Sequence, residues 1–241
     1  MEEVMESRII VALKVMSPGE ALKWAKLLSG KVWGFKLNTM LFQGMELIND
    51  LKEFGHVMAD AKVFEIPDDM DNSVRFLLNA GADFVTVHMA ADWQPPADLA
   101  DKVAGVTVLT SFDDAKCARV FGHNKSIFQV EDFVSRAIDL RYKKIVCSAA
   151  DLRNESINTM IKNAKIAAIC PSIRMEGSVV KGDDQVRKAT PCEAVKLGTR
   201  FLVVGRPIFQ ASDPIAVVDT INYEVDKGLY GCNCSREPHG N

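Results

Sequence analysis

The chain contains no run of 18 or more apolar residues, so no segment is expected to cross a membrane as a helix. Nor does it open on a basic stretch followed by an apolar one. Met1 to Arg8 is acidic, and no export signal is expected. An excess of one charge is missing too: Lys and Arg total 29 against 32 Asp and Glu, a net charge of -3 with the signs interspersed. That balance argues against nucleic acid or a membrane surface as a partner. Cysteines at zinc-knuckle spacing are also lacking. Of the six, Cys117, Cys147, Cys170 and Cys192 lie in or beside apolar segments, where free thiols pack as small hydrophobes. Cys232 and Cys234 stand one residue apart in a tail, roughly 228–241, that reads as flexible. A reducing, cytoplasmic setting is expected.

What is present is enough apolar residue for one large core: 241 residues, 48% of them hydrophobic. Apolar runs at Ile9–Val15, Val32–Leu37, Val57–Val63, Asp83–His88, Gly105–Leu109, Lys144–Cys147, Ile166–Cys170 and Phe201–Val204 read as eight strands. Between them, helical spacing is read from Ser17 to Leu28, Thr39 to Phe54 and Asp69 to Ala80. A short helix is expected after Pro95-Pro96, and others over Val130–Leu140, Asn154–Ile161, Pro191–Leu197 and Pro214–Val225. The segment 111–129 is polar, reads as an irregular connection, and suits a lid. Eight alternating units at this length predict an α/β fold, a single (β/α)8 TIM barrel spanning 1–241.

In such a barrel every strand's C-terminal end faces one mouth. Lys14, Lys36, Asp60, Lys62, His88, Ser111, Pro171 and Arg206 all fall at or near those ends. Asp60 and Lys62, two apart, share a strand face by alternation, and an acid and a base there are costly unless they pair or hold a ligand. Gly205-Arg206 directly follows the eighth strand, where backbone amides and a guanidinium suit a phosphate. Three lysines against few acids leave room for a substrate anion and little case for a cation, so no metal and no cofactor are expected. A protonated lysine beside a carboxylate suits decarboxylation: Lys62 can stabilise a carbanion and then protonate it, while Asp60 crowds an ionised substrate carboxylate. His88 is left without a role.

Several motifs occur in order. Asp60-Ala61-Lys62-Val63-Phe64-Glu65-Ile66-Pro67-Asp68-Asp69 and Gly34-Phe35-Lys36-Leu37 are followed by Cys147-Ser148-Ala149 and Pro171-Ser172-Ile173-Arg174. Gly182-Asp183-Asp184-Gln185 with Arg187, Thr190-Pro191 and Val204-Gly205-Arg206-Pro207-Ile208 complete the set. Together they resemble the orotidine 5'-monophosphate decarboxylase family over most of the chain. The resemblance implies metal-independent decarboxylation of orotidine 5'-monophosphate (OMP) to UMP in pyrimidine biosynthesis. It places Lys36, Asp60, Lys62 and Glu65 in a catalytic array, with Lys62 as proton donor, and phosphate on Arg206 and the Glu176 loop. It further implies a homodimer in which Glu65 reaches the partner's site.

The chain departs from that family's pattern at five positions. Lys14 replaces an aspartate that holds the ribose hydroxyls, and Glu65 replaces the second motif aspartate. Asp69 stands for a threonine, Ser172 for a glycine and Glu176 for a phosphate-binding glutamine. Lys14, Asp69, Ser111, Ser172, Glu176, Gly205 and Arg206 are thus the expected substrate- and phosphate-binding set. An ion pair between Lys14 and Glu65 would rebuild the array with exchanged positions. The alternatives are a diverged paralogue acting on another phosphorylated substrate, of sugar-phosphate lyase type, and a non-catalytic phosphometabolite-binding dimer.

Overall fold

A computed structural model describes residues 6–14, 16–122, 125–176 and 187–231. Val15, His123, the Gly182-Asp183-Asp184-Gln185 motif and the tail with Cys232 and Cys234 lie outside them. Eight strands, β1 (Ile9–Leu13), β2 (Gly34–Leu37), β3 (His56–Val63), β4 (Phe84–His88), β5 (Val103–Val106), β6 (Lys144–Val146), β7 (Ala167–Cys170) and β8 (Thr199–Val204), close into a barrel in sequence order. All neighbours are parallel, and β8 returns to β1 through Ile9 opposite Leu202. This is the expected TIM barrel.

Alternation along the strands builds two apolar layers. Ile10, Met58, Phe84, Ala104, Ile169, Phe201 and Val203 fill the barrel interior. Their neighbours, such as Ile9, Val11, Val57 and Ala59, pack outward against the helices. Gly34 lets two strands close up: a Cβ there would stand 2.1 Å from the His56 carbonyl oxygen.

The helices outside the barrel are α1 (Pro18–Leu28), α2 (Glu46–Lys52), α3 (Pro67–Asn79), α4 (Asp114–Phe121), α5 (Ser126–Asp139), α6 (Glu155–Asn163), α7 (Pro191–Lys196), α8 (Arg206–Phe209) and α9 (Pro214–Tyr230). Helix α1 starts as its sequence dictates: Ser17 Oγ accepts from the Glu20 amide, Glu20 accepts from the Ser17 amide, and Pro18 fills the first turn.

Four expectations are corrected. The Thr39–Phe54 stretch is not one helix but a 3-10 turn over Thr39–Gln43 and then α2, broken at Gly44, whose φ is 130°. No helix follows Pro95-Pro96. There the chain is held by buried Trp93, whose carbonyl accepts from the Tyr142 hydroxyl at 2.7 Å. The polar 111–129 segment is largely helical, as α4 and the first turn of α5. Its polar residues are caps: Asp113 accepts from the Lys116 amide at 2.7 Å, Gly122 ends α4 at φ 83°, and Asp114 accepts from the Ser126 amide and hydroxyl at 2.8 Å. Finally, the last helix runs on to Tyr230, past the expected start of the tail.

Candidate active site

At the C-terminal mouth of the barrel the strand ends surround a cavity of about 890 Å³. Lys14, Lys36, Asp60, Lys62, Ser111, Ser172, Gly205 and Arg206 line it, as does Pro171. Glu65, Asp69 and Glu176 do not. All three are exposed, Glu65 between Phe64 and Ile66, which are 63% and 65% exposed. Lys14 and Glu65 form no ion pair, so the exchanged-position network is not made within one chain.

The centre of the site is Asp60, only 5% exposed. Its Oδ2 accepts from Lys36 Nζ at 2.5 Å, and its Oδ1 from Lys62 Nζ at 2.8 Å and the Thr86 hydroxyl at 2.9 Å. Burial by itself would raise the carboxyl's pKa. The Lys36 and Lys62 ammoniums and their hydrogen bonds outweigh that and hold Asp60 below the ordinary aspartate range. It is a fixed anion with both oxygens hydrogen-bonded, suited to electrostatic work and not to taking a proton.

Lys62 is shifted in the opposite sense to most paired lysines. Burial lowers its pKa first, Asp60 raises it, and Lys36 and Lys14 lower it again, leaving it below the ordinary lysine value. An ammonium so placed gives up its proton more readily than a lysine in water. Lys14 makes no hydrogen bond or ion pair with a described residue, so its ammonium is uncompensated beside this array.

The route by which Lys62 reaches the cavity differs from simple alternation. Met58 and Asp60 follow the pleat, but between Ala59 and Val63 the pairing of β3 with β4 breaks: four residue steps on β3 face two on β4, from Val85 to Val87. Lys62 itself has φ 48°, the left-handed region. For a lysine this costs on the order of 1–3 kcal/mol and persists only where the surroundings enforce it. The sequence motif carries no glycine to announce it. Ser172, at the end of β7, is left-handed as well, with φ 67°.

Sequence reasoning missed two residues. Thr86, fully buried on β4, bonds both Asp60 and the Lys62 amide. Asn38, past the end of β2, lines the cavity and donates to the Asp60 carbonyl at 2.7 Å. A polar residue two positions before His88, within an apolar strand, was the available signal for Thr86. His88 stands behind the array among Phe64, Phe121 and Phe133, its Nδ1 accepting from the Ala90 amide at 3.2 Å. Burial, and then Lys62, lowers its pKa, so it stays neutral.

The loops after β7 and β8 build another part of the mouth, beside β1, with which β8 pairs. Arg174 lines the cavity together with Arg206, Gly205 and Ser172, a donor-rich wall. Arg187 braces two neighbouring loops. It bonds Asp151 at 2.6 Å and the Val108 and Leu109 carbonyls at 3.1 and 3.0 Å. Cys147, a buried free thiol, also lines the cavity, and hydrogen bonding with buried Cys170 together with burial raises its pKa. Among the described residues no group of three or more His, Cys, Asp or Glu converges as metal ligands would.

The family model described as "Orotidine 5'-phosphate decarboxylase / HUMPS family" matches residues 7–221. Among curated relatives, the chain is 35% identical to an orotidine 5'-phosphate decarboxylase of Lawsonia intracellularis, over 89% of this chain and 97% of that protein. It is 34% identical to the protein of that name from Dichelobacter nodosus, again over 89% and 97%. Among solved structures, orotidine 5'-phosphate decarboxylase from Pyrococcus horikoshii superposes with a TM-score of 0.71 at 24% identity, covering 90% of this chain and 98% of that one. The Lactobacillus acidophilus enzyme gives 0.70 at 24% identity, covering 92% and 100%.

Proposed function

This chain belongs to the orotidine 5'-phosphate decarboxylase / HUMPS family and is an enzyme of carboxy-lyase type, and from that premise we propose that it decarboxylates OMP to UMP without a metal. The observation that carries the reading is the Lys36–Asp60–Lys62 array at the cavity, with Asp60 held as an anion between two ammoniums.

The substrate's phosphate lies against Arg206, Gly205 and Ser172, and its pyrimidine carboxylate lies toward Asp60. Two like charges there raise the ground state, and loss of CO2 relieves the repulsion. The carbon–carboxylate bond breaks and leaves its electron pair on the ring carbon, where the Lys62 ammonium stabilises the charge and transfers a proton to it. Lys62, then a neutral amine, regains its proton from water. Ser111, on the loop after β5, donates to the base, and Lys14 donates to ribose oxygens. Glu176 helps Arg206 hold the phosphate, and Asp69, in the first turn of α3, contributes to substrate binding. This assignment places the enzyme in pyrimidine biosynthesis in the cytoplasm.

The active form is a homodimer. Phe42, Phe64 and Ile66 are 92%, 63% and 65% exposed on segments following β2 and β3, and Phe64 and Ile66 flank Glu65 along the chain. Apolar side chains left open beside a catalytic mouth fit a second copy, whose site Glu65 then enters.

Lys14 favours one second reading. An unpaired ammonium at the β1 end suits an anionic group where the decarboxylase substrate offers only a diol, as another phosphorylated substrate would. The test is incubation with OMP, with and without EDTA, following loss of OMP absorbance and formation of UMP. Turnover indifferent to EDTA supports the proposal. A folded protein that leaves OMP unchanged but binds a sugar phosphate tightly overturns it in favour of the second reading.

A further inference from the structure

We propose that Thr86 is a positioning residue for the charged array, its single hydroxyl fixing both the Lys62 backbone and the Asp60 carboxylate from the neighbouring strand. The proposal rests on the decarboxylase reading of the site.

The break in pairing between β3 and β4 sets three residues, Asp60, Ala61 and Lys62, against Thr86 alone. Such a bulge takes the Lys62 amide out of the backbone ladder. That amide donates instead to Thr86 Oγ1 at 2.9 Å. A hydroxyl has one proton to give, and Thr86 gives it to Asp60 Oδ1 at 2.9 Å. The same oxygen therefore holds the left-handed turn at Lys62 (φ 48°) and orients the carboxylate that receives the Lys62 ammonium at 2.8 Å.

Thr86 is fully buried and does not line the cavity, so water cannot stand in for its hydroxyl and substrate does not touch it. Its effect on the reaction passes through Asp60 and Lys62. Valine has the same shape without the hydroxyl; serine keeps the hydroxyl and loses only a methyl group.

The experiment compares Thr86→Val and Thr86→Ser with the wild-type enzyme on OMP. Thr86→Val is expected to lower kcat by about tenfold or more while KM stays within about threefold, and Thr86→Ser to remain within about threefold of wild type in both. A merely structural role would lower the melting temperature of Thr86→Val and leave the kcat of the folded protein unchanged. That result, or a Thr86→Ser enzyme as impaired as Thr86→Val, overturns the proposal.

A crystal structure of Thr86→Val is the second readout. Lys62 leaving the left-handed region, or its Nζ moving beyond about 4 Å from Asp60, supports the assignment; an unchanged array overturns it. Should wild type itself leave OMP unreacted, the decarboxylase reading fails, and the crystal structure still decides the role of Thr86. Should Thr86→Val prove insoluble, Thr86→Ala is carried through both measurements with the same criteria.

Discussion

Asp60 and Lys62 are tuned by opposite balances of the same two forces. For Asp60 the neighbouring ammoniums win over burial; for Lys62 burial wins over the neighbouring carboxylate. The first shift keeps Asp60 the anion that the proposed reaction needs, and the second makes the Lys62 ammonium a readier proton donor. Activity should therefore hold down to pH values below the ordinary aspartate pKa of 3.8, provided the fold survives, and decline on the alkaline side from below the ordinary lysine value of 10.5. Asp60→Asn removes the influence that raises the Lys62 pKa, so its alkaline limb should move to lower pH. Its kcat should fall by about a hundredfold or more, as a pH–rate profile of the purified variant would record. An alkaline limb that moves up instead would contradict the assignment of Lys62 as the protonating group.

At the scale of elements, the barrel was legible because its strands are short apolar runs and its helices carry their own start signals, as Ser17, Pro18 and Glu20 do for α1. What the sequence hid depends on contacts distant along the chain. The bulge at Lys62 requires Thr86, 24 positions further on, and no local signal at Lys62 marks it. The helical nature of the segment expected as an irregular lid was masked because Asp113 and Asp114, whose carboxylates accept from backbone amides at the starts of α4 and α5, look like loop residues in composition. In contrast, the mouth cluster was legible: Lys14, Lys36, Asp60, Lys62, Ser111, Ser172, Gly205 and Arg206 meet in one cavity because parallel strands in a barrel all end on one side. Close packing between β2 and β3 also yields a prediction. Gly34→Ala sets a methyl against the His56 backbone, and should destabilise the fold by about 1–3 kcal/mol. Thermal unfolding should then show a drop of about 2–4 °C per kcal/mol, and an unchanged midpoint would mean that β2 and β3 can part without cost.

At the scale of the molecule, the proposed homodimer makes a quantitative demand. If Glu65 serves the partner's site, Lys62→Ala and Glu65→Ala dimers are each inactive. Mixing and re-equilibrating them forms hybrids in half of the population, each with one intact site of two. About a quarter of wild-type activity should return, and none should return if Glu65 acts within its own chain. A charged residue at Phe64, as in Phe64→Asp, should yield monomers by light scattering and lower activity with them. Whether Lys62 delivers a proton to the carbon that loses CO2 is decided by OMP turnover in D2O with wild type and Lys62→Ala. Wild type should yield UMP carrying deuterium at that carbon, and Lys62→Ala a rate at least about a thousandfold lower. UMP formed by Lys62→Ala at the wild-type rate would contradict proton delivery by Lys62.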